Sequence, residues 1–266
     1  MLDVEFAELS DAGVVRDHNE DCLGHSIPGT SIHGSDRGWL FSLADGVGGH
    51  DRGEVASRLA VETVVHTFQQ AKAGEALTAV LPRAIERANQ RVYETAMSTG
   101  PGGSSMATTI VVCGLRYNRA VIAHVGDSRC YVLRQGKVLL MTRDHTISAE
   151  QVRMGLITAR EGAAAQTSHM LSRSVGSGMF VNVESTEQQI FAGDVLLLCS
   201  DGLHNSVGME DYASLVKPDG ALESTAKALI DLAKQRDGSD NISVQLIRIK
   251  EVEAVGMYRG RHYKLR

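Results

Sequence analysis

The sequence predicts an α+β domain of layered construction, with helices lying on antiparallel sheets. Short runs of Val, Ile and Leu bounded by Gly, Asp and Asn recur along the chain and read as strands. Tight reversals join neighbouring runs, which fixes an antiparallel sense. Stretches with helical spacing stand apart from these runs instead of alternating with them, which argues against a doubly wound fold.

Taken in order, Trp39 to Ala44 is the first strand signal. Glu54 to Gln70 places Val61, Val64, Val65 and Phe68 on one helical face. Leu77, Val80, Leu81, Ala84, Ile85, Ala88 and Val92 continue that rhythm, and Pro82 among them predicts a helix start or a kink there. Thr108 to Leu115 and Ala120 to Val125 flank the Tyr117-Asn118-Arg119 reversal, and Cys130 to Arg134 and Val138 onward flank Gln135-Gly136. Ser148 to Gly178 begins helically and then loses its pattern, as an insertion over a sheet edge would. Val195 to Cys199 is a further strand, Ala221 to Arg236 a helix ended by Asp237-Gly238, and Ile242 to Ile249 a last strand. A basic tail, 251–266, reads as solvated or loosely docked.

With 266 residues the chain is expected to form one large domain, residues 1–250, able to bury a sizeable core without staples. A net charge of −5 excludes a general nucleic-acid binder by bulk charge. Cys22, Cys113, Cys130 and Cys199 form no CxxC pair and read as small buried hydrophobes. No stretch approaches the ~20 apolar residues of a membrane helix, so a soluble, cytoplasmic protein is expected.

The chemistry is carried by aspartates at strand ends. Phe41-Ser42-Leu43-Ala44 leads to Asp45-Gly46, Val195 to Ser200 leads to Asp201-Gly202, and Val121 to Gly126 leads to Asp127-Ser128. Asp240 opens the run that starts at Ile242, and Glu20-Asp21 follows Arg16. One Asp-Gly alone is a turn. Several partly desolvated carboxylates at neighbouring strand mouths would repel one another and call for a cation. Hard oxygen ligands without a zinc-type motif select Mg²⁺ or Mn²⁺. Glycine at 46 would let the backbone carbonyl approach such an ion, and Arg16 offers a planar fork for phosphate.

The string Ser10 to Asp21, then Ala44-Asp45-Gly46-Val47-Gly48-Gly49-His50 with Gly53-Glu54, resembles the metal-dependent PP2C (PPM) serine/threonine protein phosphatases in their compact bacterial form. The resemblance continues, in the family's order, through Gly103 to Thr109, Val125 to Arg129, Asp144-His145-Thr146, Leu171 to Gly176, Ser200 to Leu203 and Ser239 to Ile242. It implies a four-layer αββα sandwich of two antiparallel sheets flanked by helix pairs, with a flap at about 148–178. It also implies two Mn²⁺ or Mg²⁺ ions, bridged by Asp45 and completed by the Gly46 carbonyl, Asp201 and Asp240. Asp21, with Glu20, would orient water, Arg16 would bind the substrate phosphate, and Asp127 would help hold a weaker third ion. Animal members carry a histidine directly after the Asp-Gly; Val47 stands there in this chain, and His50, three residues later, is the alternative proton donor.

The expected activity is hydrolysis of phosphoserine and phosphothreonine in proteins by a metal-activated water, opposing Ser/Thr kinases, in a monomer. A catalytically silent phosphoprotein-binding scaffold and a phosphatase of small metabolites are the competing readings. Retention of Asp21, Asp45, Asp201 and Asp240 speaks against the first, and the flap bears on the second.

Overall fold

A computed structural model describes residues 2–29, 37–47, 52–98, 106–253, 255–258 and 261–264. Two five-stranded antiparallel sheets face each other. One has the order β1 (Asp3–Asp11), β10 (Ile242–Glu251), β9 (Val195–Cys199), β6 (Arg129–Arg134), β7 (Lys137–Leu140). The other has β2 (Asp21–Ser26), β3 (Trp39–Asp45), β4 (Ile110–Arg116), β5 (Arg119–Val125), β8 (Glu184–Gln189). Helices α1 (Gly53–Gln69) and α2 (Leu77–Ser98) cover the β2–β8 sheet, and α7 (Leu222–Arg236) with the short α6 (Met209–Leu215) covers the other. The α+β, αββα expectation is met.

The central strands β3, β4, β5 and β9 read as continuous apolar runs because both of their faces are buried. In β4, Ile110 and Val112 pack under α1 and α2, while Val111, Cys113 and Leu115 point between the sheets. In β9, Val195, Leu197 and Cys199 meet α7, and Leu196 and Leu198 enter the inter-sheet layer. Period-2 alternation thus builds three apolar layers from two sheets. Cys113, Cys130 and Cys199 are buried free thiols, as expected; Cys22 is half-buried.

Several boundaries differ from the sequence reading. Pro82 does not start its helix: α2 begins at Leu77 and runs through Pro82. The missing N–H costs the Thr78 carbonyl its partner, yet burial of Val80, Leu81, Ala84 and Ile85 holds the helix together. The 148–178 stretch is better ordered than its pattern suggested, with α3 (Ile147–Arg153) capped by Thr146 and α4 (Ala159–Ala164) opened by a Thr158/Glu161 capping box. The tail pairs with itself, β11 (Val255–Tyr258) against β12 (Arg261–Lys264).

Candidate active site

The acids gather at one end of the sandwich, and pairing within the sheet starts the gathering. Asp21 opens β2 and Asp45 closes β3, and the two are direct cross-strand partners. Asp127 follows β5, Asp201 opens the short α5 (Asp201–His204) directly after β9, and Asp240 precedes β10. Electrostatic coupling ties the set together, since Asp45 feels Asp21, Asp201, Asp127 and Asp240.

Asp45, Asp21 and Glu20 are held by groups to which the sequence reading gave no role. The Asp45 carbonyl accepts from Thr108 Oγ1 (2.7 Å) and Thr109 N (2.8 Å), and its N–H donates to Thr109 Oγ1 (3.1 Å). Ser200 Oγ donates to Asp21 Oδ2 (2.8 Å). Asn241 accepts from the Glu20 N–H (2.8 Å) and donates to the carbonyls of Ala12 (3.0 Å) and His18 (2.8 Å), so one amide pins the loop that carries Arg16. All of these residues lie in the quoted motifs, but a lone Thr, Ser or Asn carries no signal until its partner is known.

Arg16 reaches the cluster. Its Nη2 donates to Asp240 Oδ2 (2.9 Å), and Glu20 and Asp201 add to the field that raises its pKa. That bond uses one of five guanidinium donors, and the side chain is 43% exposed, so the fork remains open toward solvent. Glu20 sits at the start of α1, its carboxylate against Gly53. His50 lies outside the described residues.

Gly46 has a steric reason to be glycine beside the one expected. A Cβ there would stand 2.5 Å from the Gly53 carbonyl carbon and oxygen and 2.8 Å from the Glu20 carbonyl oxygen. The small residue therefore lets three backbones meet, whatever its own carbonyl does. Gly46→Ala should cost about 1–3 kcal/mol of stability by urea denaturation, the usual range for overpacking against atoms that cannot rotate away.

Burial and like charge dominate the electrostatics. Burial foremost, with Asp201 and Asp240 adding to it, pushes Asp21 up to about 7, even though Ser243 and Ser200 pull the other way. Burial and then Asp201 and Asp144 take Asp127 up to about 7, and Asp45 and Asp201 are raised as well, burial again leading. Asp21 Oδ1 is buried without a hydrogen-bond partner. Hard carboxylates that raise one another's pKa from separate strand ends, with one buried acceptor unused, fit divalent cations.

A cleft of about 1130 Å³ opens from these acids toward the 147–169 segment. It is lined by Asp127, Asp201 and Asp240 on one side and by Arg143, Arg153, Ser168 and His169 on the other. His169, which the sequence reading did not single out, is close enough to act on the Asp201 carboxyl.

Comparison with known proteins places these features. A sequence model described as protein phosphatase 2C matches residues 18–242. The chain is 35% identical over 243 residues to the serine/threonine protein phosphatase PstP of Mycobacterium tuberculosis, covering 91% of this chain and 44% of that protein. It therefore spans less than half the length of that relative. It is 32% identical to the serine/threonine phosphatase stp of Listeria innocua, covering 90% of this chain and 93% of that one. The crystal structure of the PstP catalytic domain in complex with two manganese ions superposes with a TM-score of 0.79, at 31% identity, over 94% of this chain and all of that one. A fold and an ordered motif set shared at this level leave one assignment: the chain belongs to the protein phosphatase 2C family.

Proposed function

We propose that the chain is a metal-dependent protein phosphatase that hydrolyses phosphoserine and phosphothreonine and so opposes Ser/Thr protein kinases. The observation that carries this is the convergence of Asp21, Asp45, Asp127, Asp201 and Asp240 from separate strand ends into one electrostatic cluster, three of whose members, Asp127, Asp201 and Asp240, line one cleft. Asp45, the Gly46 carbonyl, Asp201 and Asp240 would hold two Mn²⁺ or Mg²⁺ ions, and Asp127 would contribute to a weaker third. When bound, such ions make water nucleophilic near neutral pH and offset phosphoryl charge.

The chain's own groups do the rest. Arg16 presents its guanidinium fork to the phosphate oxygens. Asp21, anchored through Oδ2 by Ser200, keeps Oδ1 as the acceptor that orients water, with Glu20 beside it. The segment at about 148–178 forms the flap wall of the cleft, where Arg153 and His169 meet the substrate chain around the phosphorylated residue. Residues 1–250 act as one phosphatase domain with 251–266 as an appendage, working as a monomer in the cytoplasm. Among the described residues no helix is long and apolar enough to cross a membrane.

The test is turnover of phosphopeptides, an aryl phosphate and free phosphometabolites, with Mn²⁺ and with excess EDTA. The proposal expects peptides to be preferred and chelation to abolish every rate; hydrolysis that survives chelation sinks it. Arg16→Ala should lower kcat/KM by roughly 10- to 100-fold, the worth of a charge-assisted bidentate contact, with Mn²⁺ affinity little changed. Lysine at that position should not restore the rate, because a point charge cannot reproduce the fork.

A further inference from the structure

The Asp144-His145-Thr146 motif has no part in the chemistry above, yet His145 is fully buried and makes an unusual pair of bonds. Its N–H donates to the Gly126 carbonyl (3.0 Å), and its Nδ1 accepts from the Gly126 N–H (3.1 Å). One residue thus grips both backbone groups of the residue that precedes Asp127. Gly126 sits at φ +103, and a Cβ there would stand 2.6 Å from Thr109 Cβ, so this turn is a conformation that needs holding. Two further grips act on the same turn. Arg129 clasps Asp144 with a two-point fork (2.9 and 2.6 Å), and His204 Nε2 donates to the Asp127 carbonyl (3.0 Å).

The other side of His145 belongs to the flap. Its carbonyl accepts from Ser172 N–H (2.8 Å), and the neighbouring Ile147 N–H donates to Met170 O (2.8 Å), which makes a two-stranded neck where the 147–170 segment leaves and returns. With Nδ1 an acceptor, the ring proton lies on Nε2 and is directed to Glu184 Oε2 (3.3 Å). Arg173 lies beside the same nitrogen (3.3 Å) and straps Glu150 of α3 through its other end (2.5 Å). Burial first, then His124 and Arg173, push His145 down to about 4, so the ring is neutral in working buffers.

His124, His145 and Glu184 also lie close enough together to suggest a metal site. The bonding argues against one. His145 Nδ1 is occupied by Gly126, His124 Nε2 lies 2.8 Å from the Arg143 carbonyl oxygen, and the guanidiniums of Arg143 and Arg173 stand beside Glu184 and His145. A cation there would break hydrogen bonds and face two positive charges.

We infer that His145 is a positioning residue that couples the seating of the flap to the placement of the Asp127 carboxylate, through its two-point hold on Gly126. The inference rests on the phosphatase reading for its kinetic effect but not for its structural one. The experiment compares His145→Asn with His145→Gln. Asparagine sets its amide oxygen where Nδ1 stands and can still accept from Gly126; glutamine reaches the Nε2 position and leaves the Gly126 N–H buried without a partner. Hydrogen exchange of the Gly126 amide is read in the full chain with EDTA, alongside the Mn²⁺ dependence and kcat and KM on an aryl phosphate.

His145→Gln should speed Gly126 exchange about tenfold or more, leave the β4 and β9 amides protected, raise the Mn²⁺ concentration for half-maximal rate several-fold and lower kcat with KM nearly unchanged; His145→Asn should stay near wild type in all four. Arg173→Ala, which loosens the strap without touching the turn, should shift the Mn²⁺ dependence in the direction of His145→Gln. Equal behaviour of the Asn and Gln variants, or a protected Gly126 amide in the Gln variant, overturns the inference. If wild type lacks phosphatase activity, the exchange comparison still decides the positioning role while the functional reading fails separately.

Discussion

Asp45→Asn should lower the Mn²⁺-supported rate on any phosphomonoester by roughly 10³-fold or more while making the metal-free protein more stable. The first half follows from position. Asp21, Asp201, Asp127 and Asp240 all act on the Asp45 carboxyl, and the proposed function makes Asp45 the residue shared between two ions. Ions positioned against developing phosphoryl charge are worth several kcal/mol of barrier, and about 4 kcal/mol corresponds to three orders of magnitude. The second half follows from electrostatics. Without cations the Asp45 carboxyl is buried among like charges, and its pKa is raised because the folded state disfavours the charged form. Asparagine keeps the shape and removes that penalty, so in EDTA its thermal midpoint should lie above wild type. Function here is bought with stability. Calorimetry in EDTA and in Mn²⁺, beside a turnover assay, checks both halves: a variant that is inactive and also less stable without metal would mean that the site is merely damaged.

The residues that carry this prediction were legible in the sequence because strand-end aspartates followed by small residues form a pattern visible without partners. The strands beneath them were legible for the same kind of reason, since β3, β4, β5 and β9 are buried on both faces and read as unbroken apolar runs. The strands that escaped, β1, β2 and β8, all lie at sheet edges. Glu184–Gln189 carries only polar side chains, and it is a strand only because β5 offers a free edge to pair with. Strand formation there is decided by the neighbour, not by the segment. Similarly, Thr108, Thr109, Ser200 and Asn241 look like ordinary polar residues until the fold brings their partners to them. Asn241 bonds across more than two hundred residues to the loop at 12–20. His145 is the extreme case, because its partner at Gly126 is a backbone group that no side-chain pattern can announce.

The pH dependence of stability should reverse its meaning when metal is added. In the metal-free protein Asp21 and Asp127 each hold a proton up to about pH 7, against 3.8 for an ordinary aspartate. Between about pH 4 and pH 7 the folded chain therefore binds more protons than the unfolded one, and stability must fall as pH rises across that window, then level off. With two such groups and raised neighbours in Asp45 and Asp201, the fall should amount to several kcal/mol. Divalent ions compete with these protons, so the stabilisation by Mn²⁺ should be small at pH 5 and grow steadily to pH 8. Urea denaturation at unit pH steps in EDTA and in saturating Mn²⁺ gives both curves. Asp127→Asn should make the metal-free curve shallower, since it removes one of the proton-holding groups without adding a charge. A metal-free midpoint that climbs from pH 5 to pH 8 would show the acids to be solvated and apart, and a cluster able to hold cations could not then exist.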